Sequence, residues 1–167
     1  VAGDREERVR EARLLAGLGR RQEAETLLDG VLAEDPQHSG ALLVRAGLHA
    51  EDRDWDRAHE LYERVARAAP RSAEARNELA RCLHALGRDD EALEEARAAQ
   101  SVLNEGENFR FVAPVYLTLV WCLRELGRYR EALALAEEGL ERAPDAILAQ
   151  WATQVEAELA AAEKEQC

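Results

Sequence analysis

An alanine returns along this chain at a nearly fixed interval. Ala24, Ala58, Ala92 and Ala132 lie 34, 34 and 40 residues apart, in the settings GRRQEAETLL, RDWDRAHELY, GRDDEALEEA and GRYREALALA. Pro36, Pro70 and Pro144 each follow their alanine by 12 residues, and Asn104 holds that place in the third copy. Self-similarity at such a period means that one supersecondary unit is built four times and stacked on itself.

The unit can be read from its parts. Apolar residues recur at helical spacing, as in Leu79, Leu83, Leu86 and in Leu119, Leu123, Leu126. Gly19, Gly87 and Gly127 follow, where a left-handed residue can end a helix. A second amphipathic stretch comes next, and Pro stops it. The small alanine early in that stretch lets two helices approach closely. A helical pair this short cannot bury its apolar face alone, so the pairs must stack. The composition agrees: Ala, Leu, Glu and Arg dominate, and aromatic residues make up 5% of the chain.

In its 34-residue period and small-residue anchors the chain resembles the tetratricopeptide repeat family, whose pattern is W-x2-L-G-x2-Y, then A-x3-F, then P. Ala58-x3-Tyr62 with Pro70 and Ala24-x3-Leu28 with Pro36 carry the likeness, while Ala12, Ala46, Ala80 and Val120 stand where the pattern has its first Gly. The resemblance covers about residues 5 to 144. It implies an all-α, right-handed α-solenoid of helix–turn–helix repeats over 5–38, 39–72, 73–106 and 113–146, one domain across the chain. Arg8 and Glu11 stand where the first repeat would carry large apolar groups, as suits an N-terminal cap. A capping helix over about 147–165 carries Ile147, Leu148, Trp151, Val155 and Leu159 on one stripe. Between the third and fourth repeats stands an insertion, 107–112, with the chain's two phenylalanines, Phe109 and Phe111. The preceding helix is expected to run to about Leu103, with a turn over Asn104–Asn108 and Pro114 in the first turn of the next helix. An extended 109–111 would put both rings on one face and turn Arg110 away.

In solenoids of this family the first helix of each pair lines a concave groove. The positions this implies are Val9, Arg10, Arg13 and Ala16; Leu43, Val44 and Gly47; Asn77, Glu78, Arg81 and His84; Leu117, Thr118, Trp121 and Arg124; and Leu148, Trp151 and Val155 of the cap. Trp121 lies off the Leu119–Leu123–Leu126 stripe. With Arg81 and Arg124 beside it, it points to a protein or peptide partner with an apolar anchor and some acidic character. The competing reading is that Trp121 and Trp151 pack on each other as the cap folds back. Phe109 and Phe111 either plug the wider joint or add a second contact. Relatives that bind chaperone tails hold a terminal carboxylate with Lys and Asn on successive repeats. Here no groove position is Lys and only Asn77 matches, which disfavours that activity.

The formal charge of −12 disfavours nucleic acid or an anionic membrane surface as the main partner, and no apolar run is long enough to span a bilayer. Cys82, Cys122 and Cys167 form neither a zinc pattern nor a disulfide framework, so a reducing, cytoplasmic setting is expected. Asp52, Asp54 and Asp56 with Glu63 have the spacing of a calcium loop, but Arg57 occupies its obligatory glycine position, and turn chemistry is the better reading. His38, His49, His59 and His84 stand at no metal-ligand spacing, and Cys82 and Cys122 read as inert core. No acid–base or nucleophile constellation has local support, so no catalysis, cofactor or metal is expected. The expected function is a protein-interaction scaffold; the alternative is a homo-oligomerising structural unit.

Overall fold

The structure, a computed structural model, describes residues 2–106 and 109–165. Among them the chain forms nine α-helices and no strand: α1 (Ala2–Gly17), α2 (Arg21–Glu34), α3 (Ser39–Glu51), α4 (Trp55–Ala68), α5 (Ala73–Ala85), α6 (Asp89–Glu105), α7 (Val112–Glu125), α8 (Tyr129–Arg142) and α9 (Ala146–Glu165), with a 3-10 turn at Phe109–Phe111 before α7. The chain divides into two compact units, Val1–Pro70 and Arg71–Cys167, where the sequence reading has one domain. The first holds the hairpins α1/α2 and α3/α4. The second holds α5/α6, α7/α8 and α9.

Each hairpin turns in the same way. The Gly19 N–H donates to the Ala16 carbonyl and the Arg20 N–H to the Leu15 carbonyl, both at 2.9 Å. Gly87 and Arg88 repeat this pair of bonds on His84 and Leu83, and Gly127 and Arg128 repeat it on Arg124 and Leu123. The pair satisfies carbonyls that the helix end would otherwise leave open, and it requires a left-handed residue. The three glycines supply it at φ of 73°, 72° and 69°. In the second hairpin Arg53 adopts it at φ 60° without being glycine. Beyond each turn comes the repeated alanine, and Ala24, Ala58, Ala92 and Ala132 are all 0% exposed.

In the first unit Val9, Ala12 and Leu15 of α1, Leu28 and Val31 of α2, and Val44 and Leu48 of α3 share one core. Arg8 departs from a simple polar cap. Its guanidinium reaches over α2 to pair with Glu34 at 2.9 Å, and Nη1 comes within 3.4 Å of where a Cβ on Gly30 would sit. Leu14 and Leu48 hold the same place, five residues before the left-handed residue of their turns. Leu48 is 3% exposed because α3 lies against α1 and α2; Leu14, on the outer side of α1, is 70% exposed.

In the second unit α6 continues to Glu105, two residues beyond the expected end. The segment 109–111 is a 3-10 turn, not extended, so the alternation that would place both rings on one face is absent. Arg110 does not turn away: its guanidinium lies 5.6 Å from the centre of the half-buried Phe111 ring. The side chain of Phe109 lies outside the described residues, as do Glu107 and Asn108. Pro114 is the third residue of α7, where an N–H would have no partner within the helix. Helices α5, α7 and α9 contact one another in turn, while α6 packs on α5 and α7, and α8 on α7 and α9.

Among the glycines, Gly139 of α8 has the closest neighbours. A Cβ there would stand 2.7 Å from Tyr116 Cγ and 2.8 Å from Leu148 Cδ2, both side chains being fully buried. Gly139→Ala is therefore expected to destabilise the chain by about 1–3 kcal/mol through overpacking, despite the better helix propensity of alanine. Chemical denaturation checks this, and an unchanged or raised midpoint would mean that α8 does not sit this close.

Candidate partner-binding face

The layer α5–α7–α9 carries a ladder of rings in the second unit. His84, near the end of α5, stacks on Trp121 of α7 with centroids 6.2 Å apart and planes 27° from parallel. Trp121 meets Trp151 of α9 edge-on at 6.0 Å, with planes 70° apart. Arg124, one turn on from Trp121, lies 5.3 Å above the Trp151 ring. The three rings remain half-buried. The packing of Trp121 on Trp151 set out as the competing reading is thus present. It leaves part of each ring open on this layer, since an edge contact covers little of a ring's face.

The expected groove positions divide by burial. His84, Leu117, Trp121, Arg124 and Trp151 are half-buried on the second unit, and Arg81 is exposed there. In the first unit Arg10 and Arg13 are exposed and Leu43 is half-buried. Val44, Asn77 and Thr118 are corrected to interior positions, at 8%, 1% and 1% exposure. Val44 belongs to the first unit's core. The Thr118 hydroxyl donates to the Pro114 carbonyl at 3.0 Å, one turn back along α7. Asn77 is buried, and its Oδ1 has no hydrogen-bond partner among the described residues. Leu148 and Val155 of α9 are also fully buried. One residue of slip around a helix is about 100°, enough to turn a groove position into a core position.

The arginines of this face are already paired. Arg124 Nε donates to both oxygens of Glu158, at 2.7 and 3.0 Å, and Nη1 reaches Glu125 at 2.9 Å. The hydrogen bond from Arg124 holds the Glu158 carboxyl below the ordinary glutamate value, although its partial burial works the other way. The same bond raises the Arg124 guanidinium. Arg81 Nη1 contacts both oxygens of Glu78 at 3.2 Å. An acidic partner would have to displace these internal carboxylates. The Trp121 indole N–H is buried and has no acceptor among the described residues.

The fold also assembles a group that sequence spacing did not reveal. His84, Asp89 and Cys122 bring one donor atom each to a site where all three lie within 4.8 Å of one another. His84 Nδ1 lies 2.5 Å from Asp89 Oδ1. Burial pushes the Cys122 thiol up to about 12, and the nearby charge of Asp89 adds to it. Asp89 is five residues beyond His84, across the turn, and Cys122 a further 33 residues on in another hairpin. No local motif has that spacing. The other histidines have plainer roles: His38 Nδ1 caps α3 by accepting the Ala41 N–H at 3.3 Å, and His49 faces Asp54 at 3.5 Å. Asp54 caps α4 and Asp52 pairs with Arg21 at 2.8 Å, which is turn chemistry rather than a calcium loop.

Comparison with known proteins agrees with the hairpins. The family model described as tetratricopeptide repeat matches residues 71–145, and that for anaphase-promoting complex, cyclosome, subunit 3 matches residues 18–99. Among curated proteins no sequence matches the chain. Solved structures similar to it include TTC0263, a thermophilic TPR protein of Thermus thermophilus, at 22% identity and TM-score 0.75, covering 93% of this chain and 82% of that one. PilF of Pseudomonas aeruginosa aligns at 16% identity and TM-score 0.81, covering 92% and 68%. YrrB, a TPR protein with an unusual peptide-binding site, aligns at 19% identity and TM-score 0.69, covering 90% and 75%. The fold is that of an all-α helical-repeat protein. Residues 71–145 match the tetratricopeptide repeat, and the two family matches together with the four hairpins support a tetratricopeptide-repeat protein. No helix among the described residues is long and apolar enough to cross a membrane.

The clamp on Glu158 has a pH signature. Because the folded-state value lies below the ordinary 4.5, its contribution is complete above that value and is lost as pH falls through the lowered one. Acid titration of tryptophan fluorescence is expected to show a step below pH 4.5, as Arg124 above Trp151 loses its anion. Glu158→Gln should remove that step; a step that survives the substitution would mean that another group reports there.

Proposed function

We propose that this chain is a non-catalytic scaffold that binds a protein or peptide segment on the α5–α7–α9 face of its second unit. The repeat family and the likeness to YrrB, a TPR protein with an unusual peptide-binding site, support an interaction scaffold. The observation that carries the choice of face is the half-buried ring ladder of His84 on α5, Trp121 on α7 and Trp151 on the cap helix α9. Partly open aromatic rings on a rigid layer are the kind of surface that anchors a partner's apolar side chain. Arg124 and Arg81 frame the ladder but are held by Glu158 and Glu78. The segment is therefore recognised chiefly by an apolar or aromatic anchor, with acidic character contributing by exchange of these pairs. In the first unit the corresponding accessible positions are Arg10, Arg13 and Leu43.

A displayed random-peptide library tests this reading. Peptides selected on the native chain should lose at least about 2 kcal/mol, roughly 30-fold in affinity, on Trp121→Ala, with helical content unchanged by circular dichroism. Undiminished affinity in that variant would sink the assignment of this face.

A second reading, self-assembly, is favoured by α1. Leu14 of α1 and Leu18, four residues on at the start of the turn, with its N–H bonded to the Leu14 carbonyl, are 70% and 72% exposed. That is an apolar pair on one helical face, at a place where a neighbour would bury it. Phe111, half-buried under Arg110, offers less. Light scattering over a range of concentrations is expected to show association that Leu14→Glu weakens at least tenfold. A monomer at every concentration would exclude self-assembly through α1.

A further inference from the structure

The donor set in the second unit has a chemistry of its own. His84 at the end of α5, Asp89 at the start of α6 and Cys122 within α7 offer an imidazole nitrogen, a carboxylate oxygen and a sulfur. We propose that His84, Asp89 and Cys122 form a site for a single divalent transition-metal ion of the zinc class. A mixed N, O, S set suits zinc or cobalt rather than the oxygen-seeking magnesium and calcium.

The geometry supports this in three ways. Bond lengths of about 2.0–2.3 Å at tetrahedral angles need donors roughly 3.5 Å apart. Here the donors lie within 4.8 Å of one another, with His84 and Asp89 in contact at 2.5 Å. The His–Asp pair must therefore open by about 1 Å while the thiol edge closes by a similar amount, within reach of side-chain rotation. The His84 ring is held from outside by its stack on Trp121, which limits the directions in which its nitrogen can point. Access is one-sided: Cys122 is fully buried, whereas the side chains of His84 and Asp89 keep 30% and 23% of their surface open. A bound ion would have sulfur beneath it and a solvent-facing fourth position for water.

The protons balance simply. On binding, the Cys122 S–H bond breaks and its proton goes to solvent as the metal–sulfur bond forms. The His84 nitrogen facing Asp89 presents its lone pair, and the ring keeps one hydrogen on the other nitrogen. Asp89 enters as carboxylate, so two anionic ligands offset the charge of a divalent ion.

Cobalt is the probe, used on the chelator-treated full chain carrying Cys167→Ser. Titration with Co2+ is expected to give a thiolate-to-metal charge-transfer band in the near ultraviolet that saturates at one equivalent and is bleached by Zn2+. Cys122→Ser should abolish the band. Cys82→Ser, which removes a buried thiol outside the cluster, should retain it. His84→Gln and Asp89→Asn should each weaken Co2+ binding at least tenfold. The absence of a band in the parent, or its survival in Cys122→Ser, would overturn the site. If Cys122→Ser loses helical content, Asp89→Asn decides instead: undiminished Co2+ affinity there overturns the proposal, and a tenfold loss supports it.

Discussion

The close contact at one small side chain sets the rest of the architecture. In every hairpin a left-handed residue reverses the chain, and an alanine with no exposed surface follows within five residues. The turn fixes the angle at which the second helix returns, and the alanine fixes its distance. Any larger residue at Ala24, Ala58, Ala92 or Ala132 would push the two helices apart and open the core along the whole pair. Gly139 of α8 shows the same constraint, where Tyr116 of its own hairpin and Leu148 of α9 occupy the space of a Cβ. The apolar residues supply the driving force, but these small residues decide the geometry in which it acts.

Charge is managed locally and repeatedly. Arg20, Arg88 and Arg128 each follow the turn glycine and fork onto a glutamate three residues on, Glu23, Glu91 and Glu131, through bonds of 2.6–2.7 Å. In the second hairpin Asp54 takes that place and caps the helix itself. Such exposed pairs contribute little stability individually. They bear on the proposed recognition: arginines that look available in the sequence, such as Arg81 and Arg124, already have carboxylates. That is why the acidic character inferred for a partner from Arg81 and Arg124 becomes secondary to the rings.

The repeat, the turns and the element order were legible in the sequence because each is written in local residue types: Gly for φ above zero, Ala for contact, Pro for termination. The 3-10 turn at Phe109–Phe111 was not, because the alternation argument presumed an extended backbone and nothing local opposed it. Burial at groove positions was legible only in part. Trp121 was separated from the Leu119–Leu123 stripe and is half-buried, whereas Thr118 and Asn77 lie near the boundary between faces and turned inward. The His84–Asp89–Cys122 cluster was illegible for a different reason. Its members are brought together by the turn and by the stacking of α7 on the α5/α6 hairpin, and no separation along the chain encodes that contact.

His84 belongs to both features of the second unit. One face of its ring stacks on Trp121, and one nitrogen meets Asp89. Anything that reorients the imidazole at the Asp89 side must also act at the Trp121 side, because a planar ring cannot turn for one neighbour alone. A metal ion drawing the nitrogen toward Cys122 would reset the base on which the tryptophan ladder rests, and a ligand pressing on Trp121 would in turn alter the donor geometry. By linkage any such coupling is reciprocal in free energy. The ring face and the donor cluster then form one mechanical unit at the joint of α5, α6 and α7, with His84 as the piece they share.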